Sequence, residues 1–132
     1  MLLRYAFRAA VPALVLACTL AAQPFISPNG IVNSASFAPA LSVGGAIAQG
    51  SIFSIFGSQL GPAAGAQPTA FPLGTSLGGA SVKITQGGIS VDAIPLYTSA
   101  GLINAIMPSN APLGLATLRL TYNNGHSTRS RT

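Results

Sequence analysis

Side chains able to do acid, base or metal chemistry are almost absent from this 132-residue chain. It contains one carboxylate side chain, Asp92, one imidazole, His126, and one thiol, Cys18, and it has no glutamate. General acid–base pairs, catalytic triads and metal centres need several such groups held close together. We therefore predict no catalytic, cofactor-binding or metal-binding residues, and we expect that the chain is not an enzyme.

The few residues that carry chemistry have simpler interpretations. His126 follows a turn glycine in a polar tail, so we interpret it as a solvated loop histidine. We expect Asp92 to accept a hydrogen bond or to pair with Lys83 across a hairpin. Tyr97 and Tyr122 are of the type that stacks on sugars, but the absence of tryptophan and the inward position of Tyr122 favour core packing.

The first 22 residues are typical of a secretory signal peptide. Arg4 and Arg8 precede an uncharged segment, 9–22, that is shorter than the ~20 residues needed to span a bilayer. We predict cleavage after Ala22 and a single domain over residues 23–132. The alternative is a lipoprotein signal, because Cys18 follows a small residue, and it would leave the chain lipid-anchored through that cysteine.

The rest of the chain carries little charge. Its basic residues are Lys83, Arg119, Arg129 and Arg131, which are scattered along the sequence rather than grouped with aromatic residues. Nucleic-acid binders concentrate such residues on one face, so we predict no nucleic-acid partner. Proline, glycine, serine or asparagine interrupts every later apolar run, so we predict no membrane span in the mature chain. The expected location is secreted, extracellular or periplasmic.

Short β-branched runs alternate with turn-rich segments, which is typical of an all-β antiparallel sandwich. Strict alternation of apolar and polar residues predicts strands with one buried face at 81–85 and at Ala116–Tyr122. Gly87 and Gly88 are expected to close a hairpin into residues 89–93. Residues 51–56 are apolar on both faces, which predicts a central strand covered on each side.

Weaker patterns complete the assignment of elements. We predict further short strands at 30–33, 96–98 and 102–107, and we expect Asn104 to satisfy backbone groups inside the sandwich. Residues 61–79 are rich in glycine, proline, alanine and threonine, which predicts a long surface loop.

Several strings, in chain order, carry a resemblance to a known family: GIVNSASFAP (30–39), GSIFSIFG (50–57), LGP (60–62), LGGASV (77–82), AIPLYTSAG (93–101) and INAIMP (103–108). Together they resemble the C-terminal domain family of large secreted acidobacterial proteins, whose repeats are similar to the IPT/TIG immunoglobulin-like fold. The match covers about residues 30–125. The resemblance implies an extracellular, non-catalytic immunoglobulin-like β-sandwich module and supplies no catalytic residue.

The C-terminal end departs from the family pattern. Asn124 and Gly125 form a strong hairpin signal, yet residues 126–132 contain no hydrophobic side chain. We therefore predict that the last strand is missing through truncation or a frameshift. This would leave an open strand edge at 116–122 that invites a strand from another protein, or aggregation. The alternative is that the polar tail pairs weakly through its backbone or frays.

These observations predict an exported, non-catalytic structural, adhesion or protein-interaction module at the cell surface of a bacterium. Its expected partners are other cell-surface or secreted proteins. The alternative is a carbohydrate-binding accessory module of a secreted protein, with a glycan as the ligand and Tyr97 as the residue that contacts it.

Overall fold

Nine β-strands make up the regular structure of residues 22–131, the part of the chain that the computed structural model describes. In chain order they are β1 (Phe25–Asn33), β2 (Ile52–Ser58), β3 (Ser76–Leu77), β4 (Ala80–Gln86), β5 (Ile89–Asp92), β6 (Ile94–Thr98), β7 (Leu102–Ile106), β8 (Ala116–Tyr122) and β9 (Gly125–Arg131). Nearly all of the expected leader, with Cys18, lies outside the described residues. No helix long and apolar enough to cross a membrane occurs within 22–131.

The strands form two antiparallel sheets. One has the order β1-β2-β7-β6, and the other has the order β3-β4-β8-β9 with β5 also paired to β4. Between residues 22 and 131 there is no helix. The all-β antiparallel prediction is confirmed for this range, and the two sheets form a β-sandwich.

The core lies between the sheets and follows from the alternation of side chains along each strand. In the first sheet Phe53 of β2 lies opposite Ala105 of β7, and both side chains are fully buried. In the second sheet Val82 of β4 lies opposite Leu120 of β8. All four residues belong to one hydrophobic cluster, so the inner faces of both sheets bury each other.

The strongest alternating patterns are confirmed. Strand β8 has the predicted bounds, Ala116–Tyr122, and β4 contains the whole of the predicted strand at 81–85. Gly87, with a φ of +57°, lies in the turn that joins β4 to β5. Glycine adopts this left-handed conformation without steric cost, which is why the Gly-Gly pair closes the hairpin.

Two weaker assignments differ from the structure. Strand β1 begins at Phe25, five residues before the predicted start at 30, because Phe25 and Ile26 pair with Ser58 and Gly57 across an irregularity in the ladder. The short strand β3 lies inside the segment that was expected to be only loop.

The prediction of a missing last strand and an open edge at 116–122 is wrong. Strand β9 pairs with β8 at seven positions, from Tyr122 opposite Gly125 to Ala116 opposite Arg131. Strand β8 is therefore an inner strand, with β4 on its other side. The tail pairs through its backbone along its whole described length, as one form of the alternative expected, and it does not fray there.

Polar side chains explain how a strand without hydrophobic residues is held in place. The Ser127 hydroxyl accepts a hydrogen bond from the Ile26 backbone N–H at 3.1 Å, and Arg129 Nε donates to the Ile26 carbonyl at 3.1 Å. The Arg129 guanidinium also lies 5.5 Å from the centre of the Phe25 ring, within cation–π range. Hydrogen bonds to β1 thus replace the apolar burial that the pattern lacks.

Candidate interaction surface

The outer faces of the two sheets have opposite chemistry. The outer face of the second sheet carries hydroxyl and charged side chains from β4, β5, β8 and β9. We call it the polar outer face, and its residues are Ser81, Lys83, Thr85, Ser90, Asp92, Thr117, Arg119, Thr121, His126, Thr128 and Ser130. This is the ordinary arrangement of an antiparallel sheet that has water on one side.

The outer face of the first sheet is apolar. In one row across the sheet Ile52 of β2 lies opposite Ile106 of β7, which in turn lies opposite Ile94 of β6. In a second row Phe56 lies opposite Leu102. With Phe37 from the loop after β1, these residues make up the surface that we call the apolar outer face.

The side chains of this face are partly open to solvent. Ile52 is 45% exposed, Phe56 39% and Phe37 58%. The rings of Phe37 and Phe56 lie 6.3 Å apart at an angle of 48°, so the loop after β1 adds its aromatic ring to the sheet surface. Apolar side chains grouped on the outside of a sheet in this way are typical of a contact site.

A chain of hydrogen bonds between side chains runs through the middle of the apolar outer face. Ser54 Oγ donates to Asn104 Oδ1 at 2.7 Å, and because its only proton is used there, it accepts from Ser34 Oγ at 2.7 Å. Ser54 is buried although it lies on the outer side of the sheet. These bonds join the loop after β1 to β2 and β7, so they hold the face in a fixed shape.

The prediction that residues 51–56 are covered on both sides is wrong for the outer side. Phe53 and Ile55 are fully buried between the sheets, whereas Ile52 and Phe56 on the opposite side have no second layer over them. The described residues form only two sheets, so one side of β2 faces outward from them. Apolar residues on both faces of a strand therefore indicate either a strand covered on each side or, as here, an apolar outer surface.

Charge is confined to other parts of the molecule. Lys83 Nζ and Asp92 Oδ1 form an ion pair at 2.9 Å on the polar outer face, as the hairpin predicted, with about half of each side chain exposed. Exposed pairs of this kind contribute little to stability. Within residues 22–131 no group of three or more His, Cys, Asp or Glu side chains is placed to hold a metal ion.

The other residues singled out in the sequence do not come together. His126 is exposed and lies on β9 opposite Thr121, so it is a strand residue rather than the expected loop residue. Tyr122 is partly buried and packs against the core, as predicted. Asn104 bonds to the Ser54 side chain on the outer face, which corrects its expected role with backbone groups inside the sandwich.

Tyr97, the residue named for a glycan contact, is partly buried. Its ring and hydroxyl lie so close to Gly65 that a β-carbon at that glycine would be 2.9 Å from the hydroxyl oxygen. The neighbouring loop therefore lies against the ring, which leaves less of its surface for stacking on a sugar. The carbohydrate-binding alternative stays a prediction.

Comparison with known proteins adds no assignment. No family model, curated protein or solved structure was found to match the chain.

Proposed function

We propose that this chain is an exported, non-catalytic module of the immunoglobulin-like type that acts through contact between its apolar outer face and another protein. The observation that carries the proposal is the row of isoleucines and the aromatic pair on the outside of the first sheet. Water-facing sheets normally carry polar residues there, as the second sheet of this molecule does.

The order of the strands supports the immunoglobulin-like type. If β1, β2, β6 and β7 are labelled A, B, D and E, the first sheet has the order A-B-E-D. With β4, β8 and β9 as C, F and G, the second sheet contains C-F-G, and β5 adds a strand beside C. Apart from the short strand β3, which also pairs with β4, these orders correspond to the A-B-E-D and C-F-G sheets of immunoglobulin-type sandwiches, which supports the proposed type. It agrees with the resemblance to the IPT/TIG repeats of secreted proteins.

The chemistry of the face indicates the kind of partner. The apolar outer face carries no charged side chain, whereas Lys83 and Arg119 lie on the opposite face. Attraction to anionic lipid or nucleic acid uses clusters of basic residues. The expected partner is therefore a second folded protein with an uncharged, apolar surface.

Export is the second part of the proposal, and it rests on the leader sequence. The arginines at positions 4 and 8 and the apolar segment 9–22 are the features that a secretion machinery reads. Cell fractionation with sizing of the mature chain tests it. Accumulation of the uncleaved chain in the cytoplasm would contradict export, and a lipid on Cys18 would favour the anchored form.

Photo-crosslinking in the cells that make the protein tests the contact. A photoreactive phenylalanine analogue at Phe56 is expected to yield one defined crosslinked protein. The same analogue at Thr121, on the polar outer face, is the matched control and is expected to yield none. The crosslink should disappear in the Ile52→Thr and Ile106→Thr double variant. Equal crosslinking from both positions, or none from Phe56, would contradict the proposal.

A further inference from the structure

An apolar pocket opens at one end of the sandwich, and we call it the end pocket. Its volume is about 310 Å³, and it is lined by inward-facing residues of both sheets, including Ile31 of β1, Ile84 of β4 and Leu118 of β8. Sites for small molecules have volumes of about 300–1,000 Å³, so the end pocket is at the lower limit of that range. None of its lining residues belongs to the apolar outer face.

Arg131 is the only charged residue that lines the end pocket within the described part of the chain. Its Nη2 donates a hydrogen bond to the Gly45 carbonyl. Its Nε and Nη1 are buried and have no hydrogen-bond partner among the described residues. Buried guanidinium N–H groups are normally paired, because an unmade hydrogen bond to a charged group is costly.

The surroundings of Arg131 disfavour its charge. Burial lowers the pKa of Arg131 from its ordinary value, because desolvation penalises the guanidinium cation. An arginine nevertheless stays protonated at neutral pH. The sequence has a single carboxylate side chain, Asp92, and it is held by Lys83 on the polar outer face. No carboxylate side chain of this chain is therefore left to neutralise the cation.

We propose that the end pocket binds a small amphipathic carboxylate, with its aliphatic chain between the sheets and its carboxylate on Arg131. A guanidinium N–H donates a short, charge-assisted hydrogen bond to a carboxylate oxygen, which neither an alcohol nor an amide matches. The space corresponds to roughly ten non-hydrogen atoms, if each takes about the 30 Å³ of a water molecule in the liquid. An aliphatic acid of about eight carbons has that size.

The pocket wall disfavours a sugar or a nucleotide. Apart from Arg131, the only polar side chain that residues 22–131 contribute to the lining is Gln49, and its Nε2 already donates to the Ala111 carbonyl at 2.6 Å. The remaining lining side chains are aliphatic or methionine. A ligand with many hydroxyl groups would lose its bonds to water there without replacement.

Calorimetric titration of the purified chain with octanoate tests the proposal, and octanol and acetate are the controls. Octanol keeps the chain without the charge, and acetate keeps the charge without the chain. We expect octanoate to bind at least tenfold more tightly than either control. Affinity should rise about fourfold for each methylene from butanoate to octanoate. Octanol binding as tightly as octanoate, or no binding of octanoate, would overturn the proposal.

Variants locate the site. Arg131→Gln is expected to weaken octanoate binding at least tenfold, and Arg119→Gln, on the polar outer face, to leave it unchanged. Ala46→Phe should obstruct the pocket that Ala46 lines, whereas Ala48→Phe, in the same loop but outside the lining, should not. Urea unfolding of each variant checks that it is folded. If a variant does not fold, the comparison of octanoate with octanol still tests the proposal, because it uses the unaltered chain. Undiminished binding by both Arg131→Gln and Ala46→Phe would refute the assignment.

Discussion

The two outer faces of this sandwich are built on the same kind of antiparallel sheet but carry opposite side chains. On one of them Lys83 of β4 lies opposite Arg119 of β8 among serines and threonines. On the other a row of isoleucines crosses three strands at their ends. The inner faces of both sheets contribute to one shared core. If the proposed contact is correct, the difference reflects what each outer face meets rather than what holds the fold together.

The sharpest contrast lies within strand β2. Phe53 is fully buried between the sheets, whereas Phe56 is 39% exposed on the apolar outer face. We expect Phe53→Ala to lower the free energy of unfolding by about 3–5 kcal/mol, because it leaves a cavity in the core. Phe56→Ala should cost about 1 kcal/mol. Urea unfolding measures both, and equal losses would mean that the outer face is part of the core.

Strand β9 gives the next largest effect and tests the pairing that replaces the expected open edge. Gly125 is buried, and a β-carbon there would lie 2.7 Å from Pro24 Cδ. We expect Gly125→Ala to destabilise the chain by about 1–3 kcal/mol through overpacking. Gly88→Ala is the control, because nothing lies within 4 Å of that position. A neutral Gly125→Ala variant would indicate that β9 is not docked.

Most of the sandwich could be predicted from the alternation of side chains, but β9 could not. The pattern 126–132 has no hydrophobic residue, and the bonds that fix it involve Ile26, which is about 100 positions away in the sequence. Local patterns carry no information about such distant partners. The prediction that residues 51–56 are covered on both sides was wrong for a related reason. An apolar residue on a strand does not reveal whether another layer covers it.

The hydrogen bonds of Ser54 distinguish the two faces in a different way. Ser54 is buried, and Ser54→Ala removes the hydroxyl that accepts from Ser34 and donates to Asn104. We expect the free energy of unfolding to fall by about 1–2 kcal/mol. Ser90→Ala breaks a bond of 2.8 Å to Thr85 on the exposed polar outer face and should change stability by less than about 0.5 kcal/mol. Thermal or urea unfolding measures the stability of both variants. A larger loss of stability for Ser90→Ala than for Ser54→Ala would contradict this difference between the two faces.

The smallest effect is expected at the ion pair of the polar outer face. Asp92→Asn should lower stability by about 0–1 kcal/mol, because Lys83 and Asp92 are both about half exposed. The difference from the unaltered chain should become smaller in 1 M salt, where screening acts over about 3 Å. A loss that is undiminished at high salt would mean that the pair is not a solvated surface contact.

Chemical labelling in place tests most directly whether the apolar outer face is the contact surface. With Cys18 changed to serine, Ile52→Cys and Thr121→Cys each place one cysteine on an outer face, and maleimide labelling rates are compared for the purified chain and for cells that make it. We predict that labelling at position 52 slows at least tenfold in cells, whereas labelling at position 121 is unchanged relative to the purified chain. Equal rates at position 52 in both settings would contradict a covered apolar face.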